Sequence, residues 1–189
     1  MRRAADMQDR ELIERIRAED QTALQDFFVR HRTGVFRFIT RLVRNEAVAE
    51  EITNEVFLEV WRHAGRYEGR SAVTTWLLTI ARNRAISTLR KRREASWDDD
   101  KANELEDDGD TPEVTAQKSD KAAALRDCIS KLSADHSEII DLVYFQEKGI
   151  SEVAEIVGIP DATVKTRLFY ARKKLSELLS EAGIDRGWP

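Results

Sequence analysis

The sequence predicts an all-α chain of two small helical domains, residues 1–93 and 119–189, joined by an acidic flexible linker over 94–118. Three observations predict it. Apolar residues recur at three- and four-residue steps through most of the chain, and three prolines and eight glycines are few enough to leave long helices unbroken. From Glu94 to Lys118 the periodicity stops, with Trp97, Leu105 and Val114 scattered among Asp and Glu. Such a segment has too little apolar surface to offset the entropy of ordering. It reads as a solvated spacer, with a DNA-mimicking acidic strand as the sharper alternative. Finally, Ile150 to Leu179 reads as two helices at a sharp turn, the second carrying a basic exposed face.

In the first domain, Asp9 to Glu19 forms a short amphipathic helix with Leu12, Ile13 and Ile16. Asp20 begins a longer one, with Leu24, Phe27, Phe28, Val35, Phe36, Ile39, Leu42 and Val43 on its apolar stripe and Gly34 weakening it locally. Asn45 and Glu46 mark a break. The next helix buries Val48, Ile52, Val56, Phe57, Val60 and Trp61 and shows Glu50, Glu51, Asn54, Glu55, Glu59 and Arg62 to solvent. Tyr67 to Ser71 is a glycine-containing loop, with Ser71 a plausible cap for a helix that buries Trp76, Leu77, Ile80, Ala81, Ile86 and Leu89 and ends in a basic cluster.

In the second domain, Leu125, Ile129 and Leu132 share one helix, and Ser133 caps another carrying Ile139, Ile140, Leu142, Val143 and Phe145. Ser151 then caps a short helix with Val153, Ala154, Ile156 and Val157 inside. Gly158 permits a left-handed C-cap, and Pro160 cannot continue the helix. Asp161 is the expected N-cap of the last helix, which buries Val164, Leu168, Ala171, Leu175 and Leu178 and offers Thr163, Lys165, Thr166, Arg167, Arg172 and Lys173 outward. Short helix, turn and basic second helix describe a helix-turn-helix and point to duplex DNA. The bland alternative is a helical hairpin with a solvated basic face.

The net charge of −4 conceals a strong asymmetry. Glu94 to Asp120 carries eleven acidic residues and two lysines, a net of −9, which leaves +5 on the rest. Arg82 to Arg93 has six basic residues and no acidic one. A cationic surface of this kind suits a polyanion, whatever the total. The single cysteine, Cys128, excludes an internal disulfide and sits among core residues. No apolar run approaches the roughly 20 residues of a membrane span, and the N-terminus has no signal-peptide segment, so a cytoplasmic location is expected. His31, His63 and His136 are dispersed and no phosphate loop or nucleophile motif occurs. Neither an enzyme nor a metal or cofactor site is expected.

The order of the segments carries a resemblance. AEEITNEVFLEVWR, TWLLTIARNRAISTLRKRR and LSADHSEIIDLVYFQEKGISEVAEIVGIPDATVKTRLFYARKKL resemble, in this order, regions 2.2, 2.3–2.4 and 4 of the extracytoplasmic-function (ECF) sigma factors of the sigma-70 family. It spans Ala23 to Leu179, apart from the acidic linker. The family often has Gln where this chain has Asn54, and Asp where it has Ser87.

The resemblance implies that the chain binds core RNA polymerase, directs it to promoters through −10 and −35 elements and promotes melting. It places Glu51, Asn54, Glu55 and Glu59 against the clamp helices of the largest subunit, and it implies the polymerase flap, promoter DNA and an anti-sigma factor as further partners. Arg66, Tyr67, Arg70, Ser71, Asn83, Arg84 and Arg90 would hold the unpaired −10 strand, with Trp76 as core. Cationic, amide and aromatic groups suit phosphates, base edges and base faces respectively. Pro160, Thr163, Lys165, Thr166, Arg167, Phe169, Tyr170 and Arg172 would meet the −35 duplex, cations neutralising phosphates while Thr and aromatics reach base edges. A sigma-like decoy would have lost its two basic stretches, and a free-standing regulator would leave the acidic helix without purpose.

Overall fold

The computed structural model describes residues 2–98 and 116–183, with side chains described over 4–95 and 123–183. Most of the expected linker therefore lies outside the described residues. The described chain is helical, in two compact units.

The first unit contains α1 (Arg2–Arg17), α2 (Gln21–Val43), α3 (Glu46–His63), a 3₁₀ turn (Ala64–Arg66) and α4 (Val73–Asp98). α1 starts seven residues earlier than its apolar pattern indicates and ends at Arg17 rather than Glu19. Glu19 adopts a left-handed φ of 62°, and Asp20 caps α2, its Oδ1 accepting from the amides of Thr22 (2.9 Å) and Ala23 (3.2 Å). α2 runs unbroken through Gly34. The glycine costs about 1 kcal/mol relative to alanine, and the flanking burial of Val35, Phe38 and Ile39 outweighs it. Phe38, absent from the expected stripe, is fully buried, whereas Phe36 is half-buried. Arg44, at φ 51°, closes α2, and Asn45 starts α3 by accepting from the Val48 amide at 3.0 Å.

α2 and α3 pack along each other, with α1 laid on α2 and α4 across both. Phe27, Phe38, Ile39, Ile52, Val56, Val60 and Leu77 form their centre. The Phe57 ring meets Phe28 and Phe27 edge-on, at 4.8 and 6.1 Å between centroids. On α4 the buried residues are Val73, Thr75, Leu77, Leu78, Ala81 and Ala85; Trp76, Ile80 and Leu89 are half-buried and Ile86 is 42% exposed. The expected stripe was thus rotated, because the small Ala81 and Ala85 face the neighbouring helices. α4 also continues to Asp98, five residues into the segment expected to be linker.

The second unit contains α5 (Ala116–Ser130), α6 (Ala134–Ile140) widening into a π turn (Asp141–Phe145), α7 (Ile150–Val157) as far as Ala154, and α8 (Asp161–Glu181). α5 begins before Lys118, inside the expected linker. Cys128, Ile129, Leu132, Ile140, Ala171, Leu175 and Leu179 make one core, with Leu125, Leu168 and Leu178 packed against it. Ser133 caps α6, though its hydroxyl lies 3.4 Å from the His136 amide. The π turn re-aims the end of the segment: Leu142 is buried while Phe145, expected inside, is 43% exposed.

Candidate nucleic-acid interface

α7 and α8 meet at a turn whose geometry follows from three residues. Gly158 takes φ 74° as the left-handed C-cap of α7, its amide donating to the Ala154 carbonyl at 2.8 Å. Pro160 is the N-cap of α8 and Asp161 its first residue. The expected caps are therefore corrected. Gly149 is the N-cap of α7, and its amide is satisfied by the Glu152 carboxylate at 2.9 Å. Ser151 and Asp161 are used on each other, the hydroxyl donating to the carboxylate at 2.9 Å across the turn. Two residues expected to cap separate helices instead tie those helices together.

With Val164, Ala171, Leu175 and Leu179 buried, the outer face of α8 is set by the 3.6-residue period. Lys165, Thr166, Phe169, Tyr170, Arg172 and Lys173 are exposed and Thr163 is half-buried. Phe169 and Tyr170 stand 64% and 54% exposed, their rings edge-on at 5.4 Å. Two adjacent aromatics thus leave apolar area in water that internal packing does not cover, the pattern of a contact surface. Thr166 donates its hydroxyl back to the Ala162 carbonyl at 3.0 Å, leaving its methyl and lone pairs outward. Arg167 is engaged within the unit, its guanidinium 2.9 Å from Asp135.

In the first unit the candidate residues separate into two kinds. Arg66, Arg70, Asn83 and Arg90 are exposed, Arg70 pairing with Glu68 at 2.6 Å and Arg90 with Glu94 at 3.9 Å. Tyr67 belongs to the fold instead. It is buried, its hydroxyl donates to the Ser71 carbonyl at 2.6 Å, and its ring lies 5.3 Å from Trp76. Burial pushes its phenol above the usual value. Ser71 is half-buried and does not cap α4. Asp6 of α1 does so, accepting from the Val73 amide at 2.9 Å.

On α3, Glu51, Asn54 and Glu55 are exposed and Glu59 is half-buried. Arg84 of α4 reaches this face, 2.6 Å from Glu59 and 3.6 Å from Glu55. A shallow cleft of about 280 Å³ there is lined by Glu55, Leu58, Glu59, Arg62, His63 and Arg84. The structure thus joins two groups the sequence assigned to different ligands. Leu58, 50% exposed, was overlooked; it lies three residues from Glu55 and so on the same helical face. The loop-holding contacts of Asp6, Arg10 and Arg17 were also overlooked. A local signal for them is the i,i+4 Asp6–Arg10 pair, at 2.8 Å.

Against known families, residues 27–95 match Sigma-70 region 2 and residues 122–175 match Sigma-70, region 4. The chain is 34% identical over 177 residues to RNA polymerase sigma factor CarQ of Myxococcus xanthus, covering 92% of this chain and 98% of the relative. It belongs to the ECF sigma factors of the sigma-70 family. The ECF RNA polymerase sigma factor SigK of Mycolicibacterium vanbaalenii is 28% identical, over 90% of this chain and 89% of its own. Among solved structures, the sigma factor RpoE of Bartonella quintana, in complex with the anti-sigma factor NepR, is similar with a TM-score of 0.72 and 26% identity, covering 86% of this chain and 98% of its own. CnrH, solved with the cytosolic domain of CnrY, shares the fold at a TM-score of 0.66 and 22% identity, over 92% of this chain and 98% of its own. The protein is therefore an RNA polymerase sigma factor. Among the described residues of this sigma factor, no helix is long and apolar enough to cross a membrane.

Proposed function

We propose that this sigma factor docks α3 on the clamp helices of the largest polymerase subunit and its second domain on the flap, and steers the enzyme to promoters through two elements. The helices up to Asp98 serve core binding and the −10 strand; those from Ala116 serve the −35 duplex. α8 enters the major groove, where Lys165 and Arg172 contact phosphates and Thr166, Phe169 and Tyr170 meet base edges. Pro160 and Thr163 bring the N-terminus of α8, with its favourable dipole, to the backbone. Arg167 exchanges Asp135 for a phosphate. Arg66, Arg70 and the Ser71 segment hold the unpaired −10 strand with Asn83, Arg84 and Arg90, and so favour melting.

The observation that carries this reading is the outer face of α8, where cations and exposed aromatics are interleaved while the other face is core. The protein performs no catalysis itself; nucleotide addition belongs to the polymerase, and the site of action is the cytoplasm. The RpoE structure is a complex with an anti-sigma factor. We extend that to this chain: an anti-sigma factor competes for the Glu51–Glu59 face.

Transcription in vitro with core polymerase tests the proposal. Initiation dependent on this chain, and abolished by altering either promoter element, is expected. Duplex binding without any initiation would leave only a free-standing regulator.

A further inference from the structure

The segment between the 3₁₀ turn and α4, residues 67–72, has no regular ladder, so its backbone groups need partners from elsewhere. α1 supplies them. Arg17 donates to the Gly65 carbonyl at 2.9 Å, and Arg10 donates through its two terminal nitrogens to the carbonyls of Gly69 and Ser71, each at 3.3 Å. The remaining Arg10 nitrogen, Nε, holds Asp6 Oδ2 at 2.8 Å, and Asp6 Oδ1 accepts from the Val73 amide at 2.9 Å. One Asp–Arg pair therefore grips the loop and caps the helix that follows it. The Arg10 guanidinium also lies 5.8 Å from the Tyr67 ring centroid. Gly69 fits this arrangement twice: its φ is +73°, and a Cβ there would stand 3.2 Å from Arg10 Nη1.

From this geometry we infer that α1 is a positioning element for −10 recognition, with Asp6, Arg10 and Arg17 as positioning residues that fix the Arg66–Ser71 loop before any DNA arrives. The inference rests on the proposed role of that loop. The Sigma-70 region 2 match begins at Phe27, so α1 lies outside it. Binding an unpaired strand on a loop costs the entropy of ordering the loop. The clamp removes that cost in advance and leaves Arg66 and Arg70 exposed on a fixed backbone. A guanidinium is required at residue 10, because only a planar fork reaches two carbonyls and a carboxylate together.

The test compares Arg10→Ala, Arg10→Lys and Asp6→Asn in the full chain. Amide exchange of residues 67–73 is measured in the free protein. Affinity is measured for holoenzyme on a single-stranded oligonucleotide carrying the −10 segment of a promoter it transcribes, and on the duplex −35 fragment. We expect loop exchange to quicken about tenfold or more and oligonucleotide affinity to fall about tenfold, with −35 affinity and core binding unchanged. Arg10→Lys, which retains charge and helix but not the fork, should show most of the loss. Unchanged oligonucleotide affinity, full rescue by lysine, or equal losses in both DNA assays would each overturn the inference. An Arg66→Ala, Arg70→Ala double variant serves as the control. If it spares oligonucleotide binding, the assignment of the loop to the −10 strand falls, and the inference with it. If it weakens binding while the Arg10 variants do not, the inference alone fails.

Discussion

The two surfaces proposed for DNA differ in how their side chains are engaged within the protein. In the first domain Arg84 stands against Glu59 and Glu55, Arg70 against Glu68, and the Tyr67 hydroxyl on the Ser71 carbonyl. On α8, Lys165, Phe169 and Tyr170 are exposed, while Arg167 is drawn aside by Asp135. A duplex offers its grooves ready-made, so a surface that reads it can wait largely exposed. An unpaired strand exists only after opening, and on the proposed roles Arg70 and Arg84 pair within their own domain until then. On the proposed roles, the contrast ties polymerase docking to strand capture, since Glu55 and Glu59 lie on the α3 face and pair with Arg84.

The largest effect that would break this contrast is on docking. Glu51→Lys with Glu55→Lys places like charge against a basic partner face, which should weaken core binding by about 3 kcal/mol, roughly a hundredfold. Circular dichroism should be unchanged, because both residues are exposed. Unaltered affinity in a titration would remove α3 from the interface.

On α8 the contrast sharpens within one helix. Phe169→Ala or Thr166→Ala should cost about 1–3 kcal/mol on the preferred −35 sequence and little on a scrambled one. Lys165→Ala should weaken both sequences alike and lower the salt slope by about one unit. Salt titrations on the two duplexes distinguish these outcomes; the opposite pattern would exchange the two roles.

A third prediction concerns the base of the loop clamp. Asp9 is buried on α1, 2.8 Å from Arg30, while His31 Nε2 lies 3.1 Å away and off the line of a hydrogen bond. Burial opposes its charge, but His31 and Arg30 outweigh burial and hold its carboxyl below the ordinary value. A lowered pKa contributes stability that is fully present above the unfolded value of about 3.9 and is lost as pH falls through the folded one. The stability gap between wild type and Asp9→Asn, from urea midpoints, should therefore be present at about pH 5 and close below about pH 4. A gap independent of pH would show that Asp9 acts by packing alone.

Helices and apolar stripes were legible in the sequence because burial follows the helical period, and so was the exposed face of α8. Capping was much less legible. Ser71, Ser151 and Asp161 all have the chemistry of a cap, yet α4 is capped by Asp6, 67 residues away, and the other two bond to each other. A short polar side chain takes whichever partner the tertiary fold places nearest, and the local sequence does not encode that choice. Tyr67 is more buried than its expected role suggests, for a related reason. An aromatic beside arginines suggests base stacking, but long-range packing on Trp76 and Arg10 uses the ring internally.

The smallest expected effect is at the bridge between the two surfaces. Glu59→Gln loosens Arg84, and a partly exposed pair of this kind contributes about 1 kcal/mol. Thermal stability should barely move, while free sigma factor should gain a modest affinity for single-stranded DNA. A gain absent in a filter-binding assay would show that Arg84 is held elsewhere.

The central division of labour is tested most directly by one paired measurement on Asn83→Ala and Lys165→Ala: duplex −35 affinity beside permanganate reactivity of the −10 region in holoenzyme complexes. Asn83→Ala should leave −35 affinity intact and reduce permanganate reactivity, and Lys165→Ala should lower −35 affinity first. If Asn83→Ala weakened −35 binding and spared melting, the two domains would have to exchange roles.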